Sequence, residues 1–277
     1  MRNFNRILLI LIICYTFFGA IILVRILHLY PLFYPAEGKW KLVWEDDFDG
    51  SVLDQAKWTA LMQSTSPLKE LQAYIYENVN IKNGCLIITS KKEDWIGPDV
   101  IHPGKNVTRH YTSGEVATIN NAVWTYGRFE IRAKLPIGRG ILPFAILCPP
   151  DGSWPPEVVI MSMVGQRPDT VYFANYSGVD SRHQHSDGSG PVPGPDYSAG
   201  FHTFALEWEP HKLQWYIDDV PKFQIDRNVP DRPLCLVLGT TVGGVFAGTP
   251  SDEKIGGRLS SFPQYFIIDR VRVFQRR

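Results

Sequence analysis

Net charge is the first thing this 277-residue chain lacks. Its 28 Lys and Arg balance 28 Asp and Glu, and no block of like charge interrupts the sequence. Nucleic acid and anionic membrane surfaces are held through clustered Lys and Arg, so neither is expected as the main partner. Cysteine is scarce, four in all, with no C-x-x-C spacing, which argues against a zinc framework and a full disulfide set. Cys14 lies in an apolar run. Cys85, Cys148 and Cys235 fall in or beside strand-like stretches, either as three buried thiols or with one disulfide among them. Beyond residue 34, helical periodicity, internal repeats and any sign of a second globular domain are missing as well.

What is present begins with Ile7 to Val24, 18 residues without a charge, preceded by Arg2 and Arg6. A helix of that length crosses a bilayer, whereas a secretory signal has a shorter apolar core followed by a small-x-small cleavage site. Residues 1–34 are therefore read as a cytoplasmic stub and transmembrane signal-anchor, with the membrane as a partner and residues 35–277 as one extracytoplasmic domain. A cleaved signal and a secreted protein is the alternative. Sequons at Asn106 and Asn175 fit either exported form.

From Gly38 onward, short strands alternate with turn residues; glycine numbers 23 and proline 21. Asn83-Gly84 between Val79–Ile81 and Cys85–Ser90 predicts a hairpin. Residues 126–135 alternate apolar Phe129, Ile131, Ala133 and Leu135 with charged Arg128, Glu130, Arg132 and Lys134, a half-buried antiparallel strand. Further strands are expected over 204–208, 213–217 and 266–274, and a long Ser, Gly, Pro and His-rich loop over 181–200. Many short strands at regular spacing make the fold class all-β, a sandwich or jelly roll.

The informative stretch is Trp154-Pro155-Pro156-Glu157-Val158-Val159-Ile160-Met161-Ser162. In a strand, Glu157 and Val159 share a face, and a one-residue bulge after Ile160 brings Ser162 onto it. This stretch resembles glycoside hydrolase family 16, the laminarinase and lichenase family, whose strand reads W-P-P-E-I-D-I-M-E. The resemblance extends from Trp40–Gly50 through Tyr111–Gly114, Tyr126–Glu130 and Phe201–Trp208 to Asp269–Phe274, and it implies a jelly-roll β-sandwich of the concanavalin A-like kind.

The resemblance implies that Glu157 stands at the nucleophile position, Val159 at that of the tuning Asp and Ser162 at that of the acid/base Glu, the last two lost. A retaining glycosidase needs two carboxyl groups about 5–5.5 Å apart. Serine is no proton donor near neutral pH, and general acid–base help is worth about 10²–10⁴-fold. With Val159 beside it, Glu157 is expected to have a raised pKa. Leu142 and Ile146 stand where relatives often carry Trp, and Tyr176 where many carry His. Trp124, Tyr126, Trp154, Arg128 and Tyr176 are the implied substrate contacts, the aromatics having a core role as the alternative. Glu157 is read as a ligand contact, a residual catalyst or a relic paired with an arginine.

The expected function is binding of a β-linked glucan or related polysaccharide with lost or severely reduced hydrolysis. An active endo-β-glucanase or transglycosylase that recruits its acid elsewhere, with Asp169, Asp180 and Asp187 as candidates, is one alternative; a structural ectodomain without sugar contact is the other. No cofactor and no catalytic metal is expected. Glu45, Gly84 and Asp269 match positions near a structural calcium in some relatives, and His183, His185 and Asp187 alternate as possible ligands or as a solvated loop.

Overall fold

The structure, a computed structural model, describes residues 39–64, 68–180 and 182–277. The expected membrane anchor lies outside the described residues. Among those described, no helix is long and apolar enough to cross a membrane. Leu42–Gln275 form one compact unit, and Lys39–Lys41 with Arg276 and Arg277 belong to another.

Two large sheets account for most of the domain. Their strands in chain order are β1 (Trp40–Asp46), β2 (Thr59–Ala60), β3 (Val79–Ile81), β4 (Leu86–Ser90), β5 (Glu115–Ala117), β6 (Gly127–Lys134), β7 (Ile141–Cys148) and β8 (Glu157–Ser162). They continue as β9 (Thr170–Gly178), β10 (Gln184–Gly188), β11 (Val192–Pro193), β12 (His202–Glu209), β13 (Lys212–Ile217), β14 (Val220–Ile225), β15 (Cys235–Val242) and β16 (Gln264–Arg276). The first sheet runs β14-β13-β12-β6-β16-β4-β3, with β1 on β16; the second runs β10-β9-β8-β7-β15-β5-β2, with β11 on β9. Sequence neighbours separated in the sheets make this a sandwich of the expected class.

Alternation explains which side of each strand is buried. Phe129, Ile131 and Ala133 of β6 are fully buried, as are Ala145 and Leu147 of β7 and Val158 of β8. They meet Trp208, Trp215 and Phe173 between the sheets, with Phe173 stacked on Trp215 at 6.0 Å and Phe129 on Trp208 at 6.4 Å. Full burial of side chains of this size is worth about 1.5–3 kcal/mol each. Two turns show why the hairpins close where they do. Asn83 and Gly84 have φ of 55° and 68°, and Asp218 and Asp219 have 49° and 62°. Both central residues left-handed is the two-residue turn whose twist matches its strands.

The 181–200 stretch departs from the expected long loop. Its first half is an edge strand, β10, pairing with β9 from Ala174–Gly188 to Gly178–Gln184, and Val192 and Pro193 pair with Val171 and Thr170. Backbone groups at a sheet edge pair whatever their side chains, so a polar composition without apolar alternation concealed the strand. Asn175, in the second sequon, is fully buried and donates to the Asn228 carbonyl, which closes it to a glycan in the folded domain; Asn106 is exposed.

Candidate active site

The outward face of the second sheet carries the sequence-derived triplet. Opposite pairs in the ladder divide it into ranks. One holds Tyr172, Ser162, Phe144, Gly239 and Glu115; the next holds Ala174, Val159, Ile146, Val237 and Ala117. In the third, Tyr176 faces Glu157 and Cys148 faces Cys235, and one further step from the Leu147–Val158 pair sets Glu157 beside Cys148. Phe144 pairs with Ser162 and Ala145 with Met161, but Ile146 pairs with Val159, which leaves Ile160 as the extra residue of a bulge. Ile160 and Met161 both enter the core, and Glu157, Val159 and Ser162 share the open face. The Trp215 indole, from the opposite sheet, donates to the Val159 carbonyl at 2.9 Å beside this irregularity.

Glu157 is partly buried and its carboxyl is pushed up to about 7 by desolvation, partly offset by a hydrogen bond from the Trp154 indole at 3.2 Å. The polar partner absent at Val159 is thus supplied from the preceding loop, which reaches the strand through cis bonds at Trp154-Pro155 and Pro155-Pro156. Trp154 also meets Tyr176 at 5.8 Å between ring centres. At the Ser162 rank, Tyr172 meets Phe246 edge-on at 5.7 Å, and Phe246 is 63% exposed on the one-turn helix Gly244–Ala247. Between these aromatic pairs the floor is apolar: Phe144, Ile146, Cys148, Cys235, Val237 and Ala117 form a cluster apart from the main core. The Phe144 ring lies over Gly239, where a Cβ would come within 2.5 Å of it.

The other expected contacts lie elsewhere. Arg128 is on β6 of the first sheet and only 2% exposed. Its guanidinium donates to Glu130 at 2.7 Å, Glu207 at 3.1 Å and Asp219 at 2.8 Å, and stacks on Tyr216. Alternation sends it away from the sandwich interior and away from Glu157, and its charge is held in a structural ion cluster. Trp124 is a core residue, edge-on to Trp44 and Phe129. Tyr126 meets Trp208 and lines a separate cavity of about 380 Å³ with His211, Asp226 and Asp231. Another cavity, of about 1180 Å³, is lined by Asp46, Lys57, Trp58 and Tyr76. Asp46 there already accepts from Trp58 and pairs with Lys57, so size alone does not mark the site.

The candidate replacement acids are engaged. Asp187 lies opposite Asn175, on the face away from Glu157, and pairs with Arg227 at 2.7 Å. Asp180 accepts from the backbone of Arg182 and His183, and Asp169 from Thr170. Of the expected calcium positions, Asp269 has one oxygen buried without a partner while the other accepts from Arg132, and Glu45 accepts from Arg272 at 3.2 Å. Two guanidinium charges hold these carboxylates. Among the described residues no group of three or more His, Cys, Asp or Glu is placed to hold a metal.

Sequence reasoning missed Glu115, Tyr172, Phe246 and Trp215. Glu115 is 9% exposed, and burial, with the Glu70 charge, pushes its carboxyl up to about 8. Its strand is only three residues long, so its alternation was too short to read. Phe246 follows Gly243-Gly244, both left-handed at φ 75° and 95°, the one available sign of a sharply turned segment.

The comparisons with known proteins agree with this geometry. The model of glycosyl hydrolases family 16 matches residues 71–256. A beta-glucanase of Rhodothermus marinus is 34% identical over 261 residues, covering 85% of each chain. A glucan endo-1,3-beta-glucosidase of Cryptopygus antarcticus is 32% identical over 258 residues, covering 84% of this chain and 92% of that one. The laminarinase catalytic domain of Thermotoga maritima MSB8 superposes with a TM-score of 0.72 at 30% identity, over 86% of this chain and 98% of that one. With its bulged strand, its sandwich and these relatives, the chain belongs to glycosyl hydrolases family 16.

Proposed function

We propose that this protein is a membrane-anchored, extracytoplasmic family 16 member that binds a β-glucan while hydrolysing it severely slowly or not at all. One observation carries the reading: on the face that holds Glu157, the next two positions are Val159 and Ser162, neither of them a carboxyl. Among the described residues of these three ranks Glu115 is the other carboxyl, but it lies three strands across and two ranks along from Glu157. At about 4.8 Å per strand that is roughly 14 Å, far beyond the 5–5.5 Å a retaining pair needs.

Each group has a part in binding. Trp154 with Tyr176, and Tyr172 with Phe246, offer flat rings at two ranks of the face, and the apolar floor lies between them. Such rings take the place of the tryptophans absent at Leu142 and Ile146. Glu157, with its pKa near 7, both donates and accepts hydrogen bonds to sugar hydroxyls around neutral pH. The 18-residue apolar run at 7–24 supports the anchor, and its basic N-terminal flank supports the orientation.

Calorimetry with β-1,3- and β-1,4-linked oligosaccharides tests the binding; no heat with any β-glucan contradicts it. Alkaline extraction of membranes tests the anchor, which predicts that the chain stays in the lipid fraction. An active hydrolase is the competing reading, supported by relatives named as glucanases. An aryl glycoside with a good leaving group separates the two: turnover there but not on unactivated glucan means that the nucleophile works and the acid is gone.

A further inference from the structure

The apolar floor of the candidate site holds a pair of side chains capable of chemistry beyond the sugar contact proposed for it. Cys148 on β7 and Cys235 on β15 are directly opposed, with their sulfurs 3.9 Å apart. Directly opposed residues of antiparallel strands have Cα atoms about 4.5 or 5.5 Å apart, and both spacings lie within the range that a disulfide spans. The sulfurs need to approach by about 2 Å to reach a bonding distance of about 2.05 Å, a change that side-chain rotation supplies without moving the strands. The remaining described cysteine, Cys85, sits in the β3–β4 turn of the other sheet, where its thiol meets the Asn83 carbonyl.

The geometry points to Cys148 and Cys235 as an oxidisable dithiol on the floor of the sugar-facing surface, which closes to a disulfide by exchange with a low-molecular-weight disulfide. Cys148 is the accessible member, half-buried on the open face, whereas Cys235 is fully buried beneath it. In the first step Cys148 gives up its proton to solvent and its thiolate attacks one sulfur of the external disulfide. That S–S bond breaks, and the departing sulfur leaves as a thiol after taking up a proton. Cys235 then attacks the Cys148 sulfur of the mixed disulfide and expels the second thiol. The two protein thiols are oxidised, and the oxidant is reduced to two thiols.

The surroundings of the pair set the order of these events. Cys235 is buried with its sulfur 3.9 Å from that of Cys148, which holds it in place as the resolving group. The Cys148 thiol is raised, by its hydrogen bond with Cys235 first, then by burial and by the negative charges of Cys235, Glu157 and Glu115. Entry into the cycle is therefore the slow step, and closure is fast. The product joins β7 to β15 in the rank that continues into Glu157 and Tyr176, so the redox state of the pair bears on the part of the face where the carboxyl lies.

The test uses the full-length chain, incubated with oxidised glutathione, alkylated and digested without reductant. Mass spectrometry should find a Cys148–Cys235 linked peptide lighter by two hydrogens, with alkylation of both cysteines reduced at least about tenfold. Cys14 and Cys85 should remain alkylated. Cys85→Ser should leave the linked peptide unchanged, and Cys148→Ser should abolish it while circular dichroism reports the native fold. Full alkylation of all four cysteines, linkage of Cys148 to Cys14 or Cys85, or a glutathione adduct on Cys148 that never closes would each overturn the proposal. None of these outcomes depends on whether the protein binds glucan.

Discussion

The Trp154 indole donates to Oε2 of Glu157 at 3.2 Å, and it is the one interaction that draws the Glu157 pKa downward against burial. Trp154→Phe keeps an aromatic face and removes that donor. The carboxyl should then titrate higher than its present value near 7, because the charged form loses its hydrogen bond. Carbon-13 NMR titration of Glu157 checks this; an unchanged or lowered pKa means that the indole does not stabilise the carboxylate.

Stability should fall as pH rises across the range between the ordinary Glu value and those of Glu157 and Glu115. Both carboxyls are raised, to about 7 and about 8, so the folded protein binds more protons than the unfolded chain in that range. Their contribution is fully present below the unfolded pKa and is lost as pH climbs through the folded values. Urea midpoints between acid and mildly alkaline pH should drop, and Glu115→Gln should flatten part of the decline. A rising profile contradicts this assignment.

Arg128 supplies a prediction that separates packing from binding. Arg128→Met leaves Glu207, 6% exposed at its side chain, without its cation. Removing one partner of a buried cluster costs about 3–5 kcal/mol. The unfolding free energy from urea titration should fall by that amount, and glucan affinity of the folded fraction should stay as it was. A specific loss of affinity at unchanged stability places Arg128 in the binding site after all.

That contrast shows what the residues disclosed and what they concealed. Alternation along 126–135 identified the strand and its buried side, but it could not say which sheet Arg128 joins, and the structure places it on the sheet that does not carry Glu157. The Trp154–Ser162 stretch disclosed its bulge because a known pattern required Glu157 and Ser162 to share a face, and the β7–β8 register has that bulge at Ile160. The opposition of Cys148 to Cys235, 87 residues away, depends on strand order and was invisible in the sequence. Phe246 was hidden for the same reason: only the sandwich brings its helical turn against Tyr172.

Trp215→Phe should be costly although it preserves an apolar ring. The Val159 carbonyl loses its indole donor inside the sandwich, and an unsatisfied buried acceptor costs about 1–3 kcal/mol. Because that carbonyl adjoins the bulge that orients Ser162 and Glu157, the variant should also bind glucan more weakly than its stability loss explains. Calorimetry on the folded variant, alongside its urea midpoint, checks both.

Val159→Asp combined with Ser162→Glu restores the carboxyls that the family carries at these two positions. Hydrolysis of unactivated β-1,3-glucan should rise by about 10²-fold or more over the natural protein, the usual worth of a positioned general acid. The same variant with Glu157→Gln should be silent.

The most direct measurement sets binding and cleavage of one substrate side by side: calorimetric titration with a β-1,3-glucan oligosaccharide, and release of reducing ends from the same oligosaccharide by the same preparation. The predicted result is saturable heat with no detectable new reducing ends. Reducing ends appearing at about 1 s⁻¹ or faster, an ordinary enzymatic rate, would contradict the account.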